Sequence, residues 1–138
     1  VTSLNRAFLR QATEALAPLD LELFEYDVLS ALRRQGRPFA LPATGIARET
    51  GLRSGAMTNR IDKLESRGLV MRNADKSDRR TVIVSLTSAG KRAIDDAIQL
   101  RLEAADESLR GLSSRERNDL ARLLRKVRLT GTDGAKEV

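Results

Sequence analysis

Apolar residues along this chain keep a spacing of three and four almost throughout, but across residues 81–86 the spacing drops to two. Val82, Val84 and Leu86 alternate there with Thr81, Ile83 and Ser85, which is the repeat of a half-buried strand. Residues 69–74 are its natural partner, and residues 75–80 make the tip between them. A single two-stranded hairpin set among helices admits few architectures. The chain is therefore expected to be mainly α, with the hairpin standing beside a small helical core.

The helices can be placed from their apolar stripes and their punctuation. Leu4, Phe8, Ala12, Ala15, Leu16 and Leu19 mark a first helix that ends near Pro18, and Asp20 is placed to cap the next. Leu21, Phe24, Val28, Leu29 and Leu32 carry that second helix to Gln35, where Gly36, Arg37 and Pro38 break it. Pro42 suits the first turn of a short helix bearing Ile46 and Ala47 and stopping at Thr50 or Gly51. Met57, Ile61 and Leu64 give a narrow apolar face over residues 54–67, with Gly68 as a left-handed stop. Beyond the hairpin, Thr87 caps a long helix with Ile94, Ala97, Ile98, Leu102, Ala105 and Leu109 on one side, ended by Gly111. Ser113 and Glu116 form a capping box that opens a last helix bearing Leu120, Leu123, Leu124 and Val127, before a polar tail at residues 130–138.

Composition narrows the partners. The 138 residues fit one domain, and 41% hydrophobic with 32% charged residues describes a globular chain. No apolar run approaches the roughly 20 residues of a membrane span, and residues 1–10 lack a secretory pattern, so a cytoplasmic protein without a membrane partner is expected. Cysteine and histidine are both absent, which removes disulfides and the commonest transition-metal ligands; no metal and no cofactor are expected. The net charge is +6, and two-thirds of it falls within residues 53–80. A positive field so concentrated attracts polyanions, although charge alone is also compatible with a solvated face.

Helix, tight turn, helix and hairpin follow in that order across residues 42–86, the order of a winged helix-turn-helix. Small Ala47 suits a close helix crossing, Gly51 frees the turn, and Leu52 anchors it. The second helix offers Arg53, Ser54, Gly55, Ala56, Thr58, Asn59 and Lys63 away from its apolar stripe, as candidates to enter a major groove. Asparagine pairs in bidentate fashion with adenine, so Asn59 is the leading base reader, while hydroxyls and the helix N-terminus suit phosphate. At the hairpin tip Lys76, Arg79 and Arg80 suit a narrow, electronegative minor groove, with Asp78 orienting a neighbouring arginine. Three amphipathic helices outside this segment need covering, which points to a homodimer. Residues 1–19 and 88–129 are then the dimerisation helices, and residues 20–87 the DNA-binding lobe of a single domain.

Gly68-Leu69-Val70 with Arg72, then Asp78-Arg79-Arg80, Leu86-Thr87 and Gly90, resembles the MarR family of multiple antibiotic resistance regulators. The resemblance spans almost the whole chain. It implies that residues 54–67 are a recognition helix and that first and last helices interlock in a homodimer. It also implies recognition helices in successive major grooves of a pseudo-palindromic operator on double-stranded DNA, with wings on the flanking minor grooves. Family members commonly bind small phenolic or anionic ligands between the two modules. Asp27, Arg60 and Arg72 match positions used by the family's urate-responsive branch, without the tryptophan that branch carries in an added N-terminal helix. The three residues are candidates for an anionic or aromatic effector, or for an internal salt bridge. Arg60 flanks the inward stripe and needs a carboxylate or anion beside it.

The leading expectation is a repressor released by a small ligand. The alternatives are a constitutive or architectural DNA binder without a ligand, and a winged helix used only to bind protein. Catalysis ranks last, because there is no histidine, cysteine or phosphate-cradling loop, and the carboxylates are spread along helix surfaces.

Overall fold

A computed structural model describes residues 2–51 and 54–133, with side chains described to residue 128 except at position 54. The chain divides at Leu102/Glu103 into two units, each described by itself. In the first, α1 (Thr2–Leu16) runs into a 3₁₀ turn at Ala17–Leu19. Only the C-terminal half of α1 is buried by its own chain, through Ala12 and Leu16, whereas Leu4, Phe8 and Leu9 are exposed.

Asp20 does not cap the second helix. It takes a left-handed φ of 50° and closes the 3₁₀ turn, and the cap falls two residues later on Glu22, in a capping box with Glu25. The Glu22 amide donates to Glu25 Oε2 at 2.9 Å. From there α2 (Leu23–Arg34) buries Val28, Leu29, Ala31 and Leu32 completely.

The hairpin expectation was one strand short. Residues Ala40–Pro42 form β1, which pairs antiparallel with β3 (Val82–Leu86), itself paired with β2 (Val70–Ala74), giving the order β1-β3-β2. Three residues are too few to show an alternating pattern, and Pro42 argues against a strand unless that strand lies at an edge, as β1 does. Pro42 consequently stands just before α3 (Ala43–Thr50), at its N-cap, and not inside its first turn.

Gly51 ends α3 at φ 67° with its amide on the Ala47 carbonyl. Leu52 and Arg53 lie outside the described residues. Next, α4 (Ser54–Ser66) buries Met57, Ile61 and Leu64 and stops at Gly68, φ 69°. The Leu69 amide reaches back to the Leu64 carbonyl at 3.0 Å and that of Gly68 to Glu65 at 2.8 Å, the pattern of a Schellman stop.

This stop is also where α5 (Ser88–Ser108) is fastened. Thr87 Oγ1 donates to the Gly68 carbonyl at 2.6 Å and accepts the Gly90 amide at 2.9 Å, while the Thr87 amide donates to the Leu69 carbonyl at 3.1 Å. One core joins these elements, with Leu16, Leu29, Ile46, Leu64, Val84 and Ile94 among its members.

In the second unit, the end of α5 and α6 (Ser114–Asp133) are joined by a turn. The Ser113 and Glu116 capping box is present, with the Ser113 amide on Glu116 Oε2 at 2.8 Å. The helix runs through Asp133, past the expected start of the tail at Thr130. Thr130 and Gly131 are poor helix formers, but no proline stops the final turn.

Candidate nucleic-acid interface

Each residue of a helix turns by about 100° from the last, and α4 sorts by that rule into four faces. Met57, Ile61 and Leu64 point into the core. Thr58, Asp62 and Glu65 form one flank, Arg60 and Arg67 the other. Gly55, Asn59 and Ser66 remain on the outside and are exposed. Ala56 and Thr58 are exposed beside them. The Ser54 side chain and Arg53 lie outside what is described, so of the sequence-derived reading set Gly55, Ala56, Thr58, Asn59 and Lys63 are the members seen on an open surface.

Both flanks are held by charge. On one side Arg72 of β2 donates through Nη1 to Glu65 Oε2 at 2.7 Å, pairs with Asp62, and reaches the Thr58 carbonyl at 3.3 Å. Arg72 aims at α4 because it shares a sheet face with buried Val70, two residues away. On the other side α2 meets α4: Arg60 lies over the Phe24 ring, 4.4 Å from its centroid. Arg67 Nη1 donates to Glu25 Oε2 at 2.8 Å, and Lys63 pairs with Glu22. Lys63 thus has its ammonium drawn sideways to α2, although the sequence placed it among the groove-facing residues.

The wing tip is built by two aspartates. Asp75 Oδ1 accepts the Ser77 amide at 2.7 Å and that of Asp78 at 3.3 Å; the hydrogen bonds from Ser77 hold the Asp75 carboxyl below the usual range. Asp78 accepts the Arg80 amide at 3.0 Å and the Thr81 hydroxyl at 3.1 Å. Asp78 therefore orients the backbone that carries the arginine, not its guanidinium. Lys76, Arg79 and Arg80 are exposed and have no ion pair among the described residues. Asp75 is not among the sequence-derived candidates, though an Asp-x-Ser turn is a readable signal.

Of the three candidate effector residues, Asp27 and Arg60 interact electrostatically, whereas Arg72 is turned to other partners. Arg72 belongs to the Thr58, Asp62 and Glu65 flank, Arg60 to the opposite one. A cleft of about 510 Å³ between α3, α4 and the sheet includes Asp62, Thr58 and Arg72 in its lining, but with two carboxylates on Arg72 its rim has no surplus positive charge. Arg60, expected to need an anion, rests instead on an aromatic face. Asp27 is within reach of the Arg60 charge but not of Arg72, and it lines a pocket of about 310 Å³ formed by α1, α2 and α5 with Phe8, Leu9, Leu23 and Arg101 in its wall. Burial pushes the Asp27 carboxyl up, against the pull of Arg101, Arg34 and Arg60. Arg101 itself stacks on Tyr26 at 4.9 Å, and nothing in its sequence surroundings distinguished it from other helix-surface arginines.

This arrangement has known counterparts. The pattern of the MarR family matches residues 21–82, from the start of α2 into β3. The HTH-type transcriptional regulator PecS of Dickeya dadantii is 30% identical over 118 residues, which is 86% of this chain and 71% of that protein. The chain belongs to the MarR family. A crystal structure of a mutant MarR from E. coli complexed with operator DNA superposes with a TM-score of 0.79 at 28% identity, covering 91% of this chain and 89% of that one. BpsR of Bordetella bronchiseptica, whose DNA binding is regulated by 6-hydroxynicotinic acid, gives 0.73 at 26% identity, covering 92% and 97%. MarR-family proteins are DNA-binding transcriptional regulators and not enzymes, and the winged helix-turn-helix is present here in full order. Among the described residues, no helix is long and apolar enough to cross a membrane.

Proposed function

We propose that this MarR-family protein is a cytoplasmic homodimeric repressor that grips a pseudo-palindromic operator and lets go when a small aromatic anion binds. The observation that carries the DNA reading is the outer face of α4. Asn59 stands there between two flanks fixed by ion pairs, so its amide is presented from a helix that cannot easily roll. Arg53, Ser54, Gly55, Ala56 and Thr58 accompany it at the groove, and Lys76, Arg79 and Arg80 reach the flanking minor groove. Exposed apolar side chains support the dimer: Leu4, Phe8 and Leu9 on α1 and, in the second unit, Leu120, Leu123, Leu124 and Val127 on α6. Chain segments 1–19 and 88–129 serve as the dimerisation helices in this reading.

Asn59→Ala tests it. Binding to an inverted repeat taken from the DNA beside the gene should weaken by about 1–3 kcal/mol, roughly five- to 150-fold, with random duplex unaffected. Equal weakening on both duplexes, or a monomer at micromolar concentration in sedimentation, overturns the proposal.

For the effector, the pocket beside Asp27 is the better supported site. Arg101 supplies a cation and Phe8, Leu9 and Leu23 supply apolar walls, a combination suited to an aromatic carboxylate. Arg72, matched by Asp62 and Glu65, drops out of it. Titration calorimetry with a panel of aromatic carboxylic acids should find a ligand whose affinity falls at least about tenfold in Arg101→Ala, the loss of one charge-assisted hydrogen bond. An unchanged affinity in that variant removes Arg101 from the site, and no heat from any acid favours the constitutive alternative.

A further inference from the structure

The carboxylate of Glu25 is completely buried, and its local duty does not explain why. A capping box needs only one oxygen on the N-cap amide, and the Ser113 and Glu116 box in the same chain performs that duty in the open. Carboxylates are rarely so buried unless they are paired. The pairing here is with α4: Oε2 takes Arg67 at 2.8 Å together with the Glu22 amide. Oε1 has no hydrogen-bond partner among the described residues and lies 4.0 Å from Lys63 Nζ. One buried charge thus faces two cations four residues apart, Lys63 on the helix that carries Asn59 and Arg67 in the turn directly after its last residue.

We propose that Glu25 is the positioning residue that sets the rotation of α4, and through it the operator selectivity of the protein. This rests on the reading of α4 as the base-contacting helix. The contacts of Met57, Ile61 and Leu64 are apolar and tolerate some roll, whereas hydrogen bonds to an ion are directional. The opposite clamp cannot set the rotation alone, since the carboxylates that Arg72 holds are half-exposed, with Asp62 at 54% and Glu65 at 40%. The buried member of the pair of clamps is the one with no freedom to follow. Arg67 lies two turns beyond Asn59, and a roll of about 20° moves a side-chain tip at a radius of about 6 Å by about 2 Å. Such a shift removes a bidentate contact to a base edge.

Glu25→Gln keeps the volume and an acceptor for the Glu22 amide but removes the charge. The ratio of operator to random-duplex affinity is measured for wild type, Glu25→Gln and Asn59→Ala, with the salt dependence of each and circular dichroism to establish folding. The ratio should fall at least about tenfold in Glu25→Gln, with the slope of log affinity against log salt unchanged, because no phosphate-contacting cation is lost. A merely structural role lowers thermal stability and leaves that ratio intact in the folded protein. If Glu25→Gln fails to fold, Arg67→Gln, with a partly exposed side chain, carries the same readout. A preserved ratio in the folded variant overturns the proposal when Asn59→Ala loses selectivity. If neither variant loses it, the base-reading assignment of α4 falls as well.

Discussion

Gly90→Ala should lower stability by about 3 kcal/mol, at the upper end for a methyl group forced into a packed site; its contact is the tightest met by any described glycine. A Cβ built on Gly90 falls 1.8 Å from the Leu69 carbonyl oxygen and 2.8 Å from its carbon. The obstacle is backbone, so no side-chain rotation relieves it. To admit the methyl group, the first turn of α5 must withdraw from the end of α4. That movement strains the Thr87 bonds to the Gly68 and Leu69 carbonyls and the Gly90 amide on Thr87. Thermal denaturation should show a Tm lower by about 10 °C or more. Gly55→Ala is the control, since nothing lies within 4 Å of its Cβ position and φ is unremarkable there. A Gly90→Ala protein that melts within about 2 °C of wild type refutes this account of the joint.

The same joint shows what could be read from the sequence and what could not. Thr87 was legible as a cap, and Gly90 as part of a family pattern, because hydroxyl caps and glycine spacing are local signals. The reason for the pattern was not legible: Gly68, Leu69, Thr87 and Gly90 meet only after the hairpin has brought two distant segments together. Periodicity located α2, α4 and β3 well, since an apolar stripe is repeated over several turns or residues. It could not find β1, which is three residues long and owes its existence to a partner more than 40 residues further on, with Leu41 opposite Val84. The cap of α2 was misplaced onto Asp20 because aspartate is the commoner cap by composition, whereas the Glu22 and Glu25 pair is a reciprocal device that also depends on Arg67.

For the site, exposure was easier to foresee than partnership. The outer residues of α4 and the wing cations follow from their spacing against the apolar stripe, so Asn59, Lys76, Arg79 and Arg80 could be named in advance. Which carboxylate each remaining arginine finds is a tertiary question. Arg72 and Arg60 lie on opposite flanks of α4, a separation that follows from helical geometry once Arg72 is known to reach Asp62 and Glu65. Sequence resemblance placed both beside Asp27; the electrostatic partners of Asp27 are Arg101, Arg34 and Arg60.

Removing the two wing arginines together, Arg79→Ala with Arg80→Ala, should weaken operator binding about 100-fold at moderate salt and reduce the salt slope by nearly two. Each phosphate-neutralising cation contributes about 0.9 to that slope on duplex DNA, and neither arginine has an ion pair among the described residues to release first. In the proposed complex, that contact gains from a tip ordered beforehand, and Asp75 and Asp78 order it through the Ser77 and Arg80 amides. Asp78→Ala separates two effects of opposite sign. Deleting a negative charge strengthens attraction to phosphate, while loosening the Arg80 backbone weakens the grip by making the arginine pay ordering entropy on binding. Exposed charges are screened over about 8–10 Å at physiological salt, so the second effect dominates there and Asp78→Ala should bind the operator more weakly than wild type. At low ionic strength the difference should narrow. Tighter binding by Asp78→Ala at physiological salt would show that the aspartate acts on DNA through its charge, and an unaltered salt slope in the double arginine variant would place the wing off the duplex altogether.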